Sequence, residues 1–254
     1  MRSLFHSRAP EAPTVEPVPV PTVFPKIDGA DIAAVFAGQR VAGDFYDSVR
    51  VSPERVLFGL LDVAGRRADN RGILTAAQEI FRGRGAELFS RPDFNESEAM
   101  TELCLLINRG IIEVSNGVRS CPAFIACYHE KFGTLCYTNA GHTPGLLRDS
   151  TGIVELSSTG LPLGLFSHAT NDAPTVGLGS GATLLLVSRG LVGCGAHDDS
   201  EDEFSLERVK QLLLASTSSV AQDLCVSIIE AASQFSGEIP LCDDRTALAL
   251  LRTA

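Results

Sequence analysis

The sequence predicts an α+β fold: two packed antiparallel sheets, with a pair of helices outside each. Three observations predict it. Apolar or β-prone runs occur at both ends and in the middle of the chain, with helical periodicity in two pairs between them. No repeat of fixed period and no internal linker divides the 254 residues, so one domain is the simplest arrangement. A hydrophobic share of 44% with 20% charged residues suffices for a large core without disulfide or metal staples.

Residues 1–22 read as a disordered Pro-rich tail, and 23–254 as the domain. Pro10, Pro13, Pro17, Pro19 and Pro21 oppose helix and favour extended chain. Pro25 to Asp31 turns into a first strand, Ile32 to Phe36. Val41 to Val49 and Arg55 to Leu61 form the next two, joined at Ser52-Pro-Glu54. Gly43 and Gly65 mark places where the backbone bends or approaches something closely.

Gly72 to Ser90 has Ile73, Ala76 or Ala77, Ile80 and Leu88 near one helical face. A second helix is capped by Asn95 or Ser97, carries Leu103, Leu106, Ile107, Ile111 and Val114, and stops near Asn116-Gly117. Ala123 to Tyr128 and Thr134 to Asn139 form a hairpin, followed by strands at Pro144 to Arg148, Ile153 to Leu156 and Thr183 to Ser188. The glycines of Gly177-Leu-Gly-Ser-Gly181 precede a strand, not a helix, and so do not form a phosphate-binding loop. After an acidic loop, His197 to Glu203, come helices at Leu206 to Leu214 and from a cap at Ser219, with Gln222 completing a capping box. The last strand is Ala247 to Leu251.

The formal net charge of -10 argues against a nucleic-acid surface, which needs clustered Lys and Arg. Seven cysteines without a Cys-x-x-Cys pair, mostly in apolar runs, point to buried thiols and a reducing compartment. The N-terminus lacks the apolar core of a secretory signal, and Ala182 to Val187 is too short to span a bilayer, so the expectation is a cytoplasmic protein without membrane contact.

The chemistry-bearing residues are Asp44, Asp47, Asp62, Asp243 and Asp244, each in or at the end of an expected strand. Read alone, Asp44 and Asp62 could be turn aspartates. If the five converge, so many like charges are stable mainly around hard cations such as Mg²⁺ or Mn²⁺. Two such ions about 4 Å apart activate water against a phosphoryl group.

In the order Gly43-Asp-Phe-Tyr-Asp47, Asp62-Val-Ala-Gly65, Thr138-Asn-Ala-Gly-His-Thr-Pro144, Gly160-Leu-Pro-Leu-Gly164, Ser188-Arg-Gly190 and Asp243-Asp-Arg-Thr246, the chain from about Phe24 to Arg252 resembles the PPM (PP2C-type) metal-dependent serine/threonine phosphatases. Within them it is similar to the bacterial sporulation and stress-response (SpoIIE/RsbU-like) branch. The resemblance implies a four-layer α-β-β-α sandwich, a Mn²⁺ or Mg²⁺ pair, and a phosphorylated regulatory protein of the anti-sigma-factor antagonist type as substrate. It implies that Asp62 bridges two metals, that the Val63 carbonyl binds one, that Asp44 holds the second directly or through water, and that Asp243 holds the first with Asp244 beside it. Asn139 to His142 would shape a hairpin, with His142 structural.

One position departs from the family. Its late Thr/Ser-Asp-Gly motif reads Ser188-Arg189-Gly190 here, so arginine replaces a metal-holding aspartate. A guanidinium about 4 Å from a divalent ion costs roughly 8 kcal/mol at an effective dielectric near 20. Arg189 therefore either swings out to solvent or pairs with Asp62 or Asp243 and stands in for an ion. The first outcome leaves an active phosphatase; the second weakens the metal site and raises the alternative of a pseudophosphatase that binds a phosphoprotein. Leu61-Asp-Val-Ala-Gly-Arg-Arg67 also lacks two of the family's glycines, and Ala42 stands where a glycine is usual.

Overall fold

The computed structural model describes residues 18–38, 43–63, 65, 67–91, 93–115, 119–195, 202–237 and 243–253. The readings made above for 1–17, Ala42, Ala64, Arg66, Asn116-Gly117, 197–201 and Cys242 lie outside the described residues.

Along the chain run β1 (Ala30–Ala37), β2 (Gly43–Ser52), β3 (Arg55–Val63), α1 (Arg67–Phe89), α2 (Glu96–Ser115), β4 (Ala123–His129), β5 (Thr134–Ala140), β6 (Gly145–Asp149), β7 (Gly152–Leu156), β8 (Thr175–Gly177), β9 (Thr183–Val187), α3 (Arg189–Val192), α4 (Ser205–Ala215), α5 (Ala221–Ser236) and β10 (Arg245–Arg252). One antiparallel sheet has the order β1-β10-β9-β6-β7 and the other β2-β3-β4-β5-β8. This is the expected sandwich.

Alternation along the strands explains the layering. On β3, Val56, Phe58 and Leu60 face the other sheet, whereas Leu57, Leu61 and Val63 face α1 and α2. On β10, Leu248 and Leu250 face between the sheets, and Ala247, Ala249 and Leu251 lie under α4 and α5. Both faces of these strands are covered, so they read as continuous apolar runs rather than alternating ones. Fully burying one such Phe or Leu contributes about 1.5–3 kcal/mol.

Several boundaries differ from the expected ones for identifiable reasons. α1 begins at Arg67 rather than Gly72. Asn95, not Ser97, caps α2: its Oδ1 accepts the amides of Ser97 and Glu98 at 2.9 and 3.3 Å. The Ser219 cap of α5 is incorrect. The helix starts at Ala221, and its first amide donates to Asp31 Oδ2 of β1 at 2.7 Å, an acceptor 190 residues away that no local pattern reveals. The short β8 and the one-turn α3 carry too few residues for a periodic signal.

Residues 18–22 of the expected tail pack against the domain. Gln78 of α1 donates to the Val20 carbonyl and accepts from its amide, at 2.8 and 2.7 Å. Phe24 stacks on Tyr46. No described helix is long and apolar enough to cross a membrane.

Candidate functional site

The site forms where β2 and β3 of one sheet end against β9, α3 and the start of β10 from the other. Asp44 and Asp62 are direct partners in the β2–β3 register, and both are buried. Like charges directly opposite in a ladder repel, and burial makes each charge costlier. Gly43 permits this closeness, because a Cβ there would lie 2.2 Å from the Val63 carbonyl oxygen. From the facing sheet, Thr246 donates its hydroxyl to Asp44 Oδ2 at 2.7 Å. The Thr246 amide donates to Ser188 Oγ at 3.0 Å, which ties β10 to the end of β9.

The electrostatics follow from this geometry. Burial pushes the Asp44 carboxyl up to about 8; the Thr246 and Ser188 hydroxyls oppose the rise, and repulsion from Asp62 and Asp243 adds to it. Asp62 is also raised, chiefly by burial, with Arg189 opposing and Asp243 and Asp244 adding. Asp44, Asp62, Asp243 and Asp244 thus sense one another. Asp244 is buried, and its backbone carbonyl accepts from Ser188 Oγ at 3.3 Å.

Asp47 does not join them. It lies three residues beyond Asp44 on the same strand, so it faces the helices. There Arg82 forks onto it at 2.7 and 2.8 Å, Gln78 donates at 3.1 Å and Thr22 at 3.1 Å. Strand parity alone could have signalled this.

Arg189 opens α3, and Gly190 follows so close to β10 that a Cβ would lie 2.2 Å from the Asp244 carbonyl oxygen. The Arg189 guanidinium spans two carboxylates, with Nε 3.9 Å from Asp62 Oδ2 and Nη2 3.6 Å from Asp243 Oδ2. Both separations exceed a hydrogen bond, and the side chain is 69% exposed. It neither swings away from the carboxylates nor forks onto one of them.

Oxygen donors suit a hard cation, and the Val63 carbonyl lies beside the Asp44–Asp62 pair. A buried carboxyl at about 8 beside two others is also what a divalent cation would relieve. On the Asp62–Asp243 side the residues present do not fit a second cation, because a guanidinium lies there. Among the described residues, no group of three or more His, Cys, Asp or Glu side chains is disposed to hold a metal.

Asn139, His142 and the buried thiols are engaged within the fold. Asn139 accepts the His142 amide at 2.8 Å and donates to the Leu156 carbonyl at 3.1 Å, fixing the bend after β5. His142 is buried, its Nδ1 lies against Thr143, and desolvation pulls its pKa down to about 4. Burial pushes the thiols of Cys104, Cys121 and Cys225 up to about 12. Sequence reasoning assigned no role to Ser188, Thr246, Arg82 or Gln78. Thr246 carried a signal, as a hydroxyl two residues from Asp244 at the mouth of a buried strand.

The model of the family described as Stage II sporulation protein E (SpoIIE) matches residues 52–253. Protein IcfG of Synechocystis sp. is 24% identical over 260 residues, covering 92% of this chain and 39% of that protein. The RsbU and RsbW domains of Rv1364c from Mycobacterium tuberculosis share the fold, with a TM-score of 0.72 at 23% identity over 91% of this chain and 63% of that one. The PP2C phosphatase domain with a regulatory fragment of SpoIIE from Bacillus subtilis gives 0.67 at 15% identity, over 87% and 63%. The chain thus spans about two fifths of the length of its curated relative and under two thirds of these structures.

Proposed function

Because the chain belongs to the SpoIIE family and has the PP2C-type phosphatase fold, we propose that it hydrolyses phosphoserine or phosphothreonine in a regulatory protein, at a metal centre weakened by Arg189. The substrate class is a phosphorylated anti-sigma-factor antagonist or a protein like it, met in the cytoplasm. The observation that carries the reading is the convergence of Asp44, Asp62 and Asp243 from both sheets with a guanidinium in their midst.

Asp44, Asp62 and the Val63 carbonyl would hold one Mn²⁺ or Mg²⁺. Asp243 and Asp62 would hold the other, were Arg189 not between them. The chemistry such a cation supplies when bound is Lewis-acid polarisation of a phosphoryl group and of water. The chain's own residues do the rest. Thr246 fixes the Asp44 carboxylate, Ser188 fixes β9 against β10, and Gly190, lacking a side chain, lets Asp243 and Asp244 approach α3. Arg189 offsets the carboxylate charge with a single positive charge where the family has a divalent ion.

The test is manganese-dependent hydrolysis of a phosphopeptide by the wild type and by Arg189→Asp. The reading expects slow wild-type turnover and at least a tenfold rise in the variant. Fast wild-type turnover that the variant does not increase would remove Arg189 as the limiting feature. Absence of turnover in both would leave the second reading, a phosphoprotein-binding regulatory domain. The position of Arg189 between two carboxylates favours that alternative over an intact two-metal enzyme.

A further inference from the structure

We propose that the cavity beside α3 is an anion subsite for a phosphoryl monoester group, with Arg245 as its buried anchor and Arg189 at its rim. The cavity holds about 520 Å³ and lies between α3, the last turn of α5 and the start of β10. Both arginines and Asp243 line it, and Asp44 does not.

Arg245 carries the argument. It is 4% exposed, and its Nε has no hydrogen-bond partner among the described residues. Its Nη1 reaches the Ala232 carbonyl at 3.3 Å, a weak contact with an uncharged acceptor. Among the described residues it makes no ion pair, although a buried cation ordinarily has one. A guanidinium cannot shed its charge, so burying it without a counter-charge is unfavourable unless an anion from outside completes the site. Arg245 lines this cavity.

Arg189 is the second, independent observation. Its separations from Asp62 and Asp243 allow attraction but no hydrogen bond, which leaves its N–H donors for a ligand. Two guanidinium groups on one cavity supply the forked, charge-assisted contacts that a tetrahedral dianion takes. Glu203 and Asp243 also line the space and repel any anion, so a bound phosphoryl group has to be held by both guanidinium groups together. The identification of the anion as phosphoryl rests on the phosphatase-family reading. The anion can come from a phosphoprotein or from free phosphate.

The experiment uses the full chain in EDTA, so that no cation or turnover enters. Inorganic phosphate, a phosphoseryl peptide and the same peptide with glutamate are titrated by calorimetry into wild type, Arg189→Ala and Arg245→Lys. The subsite requires saturable wild-type binding of phosphate or phosphopeptide, at least tenfold tighter than of the glutamate peptide, and at least a tenfold loss in each variant. Tighter phosphopeptide than phosphate binding identifies a phosphoprotein as the source; equal affinities identify phosphate itself, and both support the subsite. No saturable binding, or unchanged affinity in Arg189→Ala, overturns it. Arg189 is mostly exposed, so this variant keeps the test decisive if Arg245→Lys fails to fold. Metal-free phosphate binding without manganese-dependent turnover sinks the phosphatase reading and keeps the subsite; turnover without that binding does the reverse.

Discussion

Thr246 of β10 and Asp44 of β2 are 202 residues apart and meet at 2.7 Å, a hydrogen bond that joins the two sheets at the carboxylate cluster. Thr246→Val keeps the shape and removes the donor. Losing a buried hydrogen bond of this kind costs about 1–2 kcal/mol. Urea unfolding at pH 7 should show that loss, and Thr246→Ser should recover most of it. Equal midpoints for the valine variant and wild type would mean that the bond does not hold the sheets together.

Asp47 gives a second prediction. Arg82→Met leaves a buried carboxylate with only Gln78, Thr22 and the Ser48 amide. Removing one partner of a buried pair is strongly destabilising, but Arg82 is about one-third exposed, so the expected loss is about 2 kcal/mol. Adding Asp47→Asn to Arg82→Met should restore part of it. An additive double-mutant cycle would contradict the coupling.

The contrast between Asp44 and Asp47 shows what could be read from the sequence. Strands buried on both faces announced themselves as apolar runs, so the sandwich was visible in Val56 to Leu61 and Ala247 to Leu251. Asp44, Asp62 and Asp243 stood out as charges at the ends of such runs. Partners were not visible, because they come from elsewhere in the fold: Arg82 for Asp47, Asp31 for the start of α5, Thr246 for Asp44. The placement of Arg189 depends on the close packing of Gly190 against Asp243 and Asp244, which no periodicity encodes.

In the segment ahead of β1, the backbone of Val20 is held by one side chain. Gln78→Leu leaves both the amide and the carbonyl of Val20 without their partner. Two ordinary hydrogen bonds contribute about 1 kcal/mol each, so local opening should rise at least tenfold. Hydrogen exchange at the Val20 amide should quicken accordingly, while exchange in β3 and β4 stays slow. Unchanged exchange at Val20 would show that Thr22 and the Phe24–Tyr46 stack suffice.

His142 predicts how stability varies with pH. Its folded pKa is about 4 against an ordinary 6.5, so below 6.5 the unfolded chain takes up a proton that the folded chain refuses. The stabilisation is complete above 6.5 and lost as pH falls towards 4. That gap corresponds to about 3 kcal/mol. Urea unfolding from pH 7.5 to 4 should show the decline, and His142→Gln, even if less stable at pH 7.5, should lose less across this range. A parallel decline in the variant would assign the acid sensitivity to other groups.

Arg189 predicts a reversal. In EDTA, Arg189→Asp removes a charge that offsets Asp62 and Asp243 and adds one that repels them, so the variant should be the less stable. Exposure screens the effect to about 1 kcal/mol. With manganese, the variant gains a carboxylate donor where the wild type has a cation. A site filled at a hundred times its dissociation constant stabilises by about 2.7 kcal/mol, which exceeds the electrostatic loss. Thermal unfolding should therefore rank wild type above variant in EDTA and below it in millimolar manganese. A variant that is already more stable in EDTA would mean that Arg189 does not balance these carboxylates. A difference that manganese leaves unchanged would mean that position 189 does not govern cation binding.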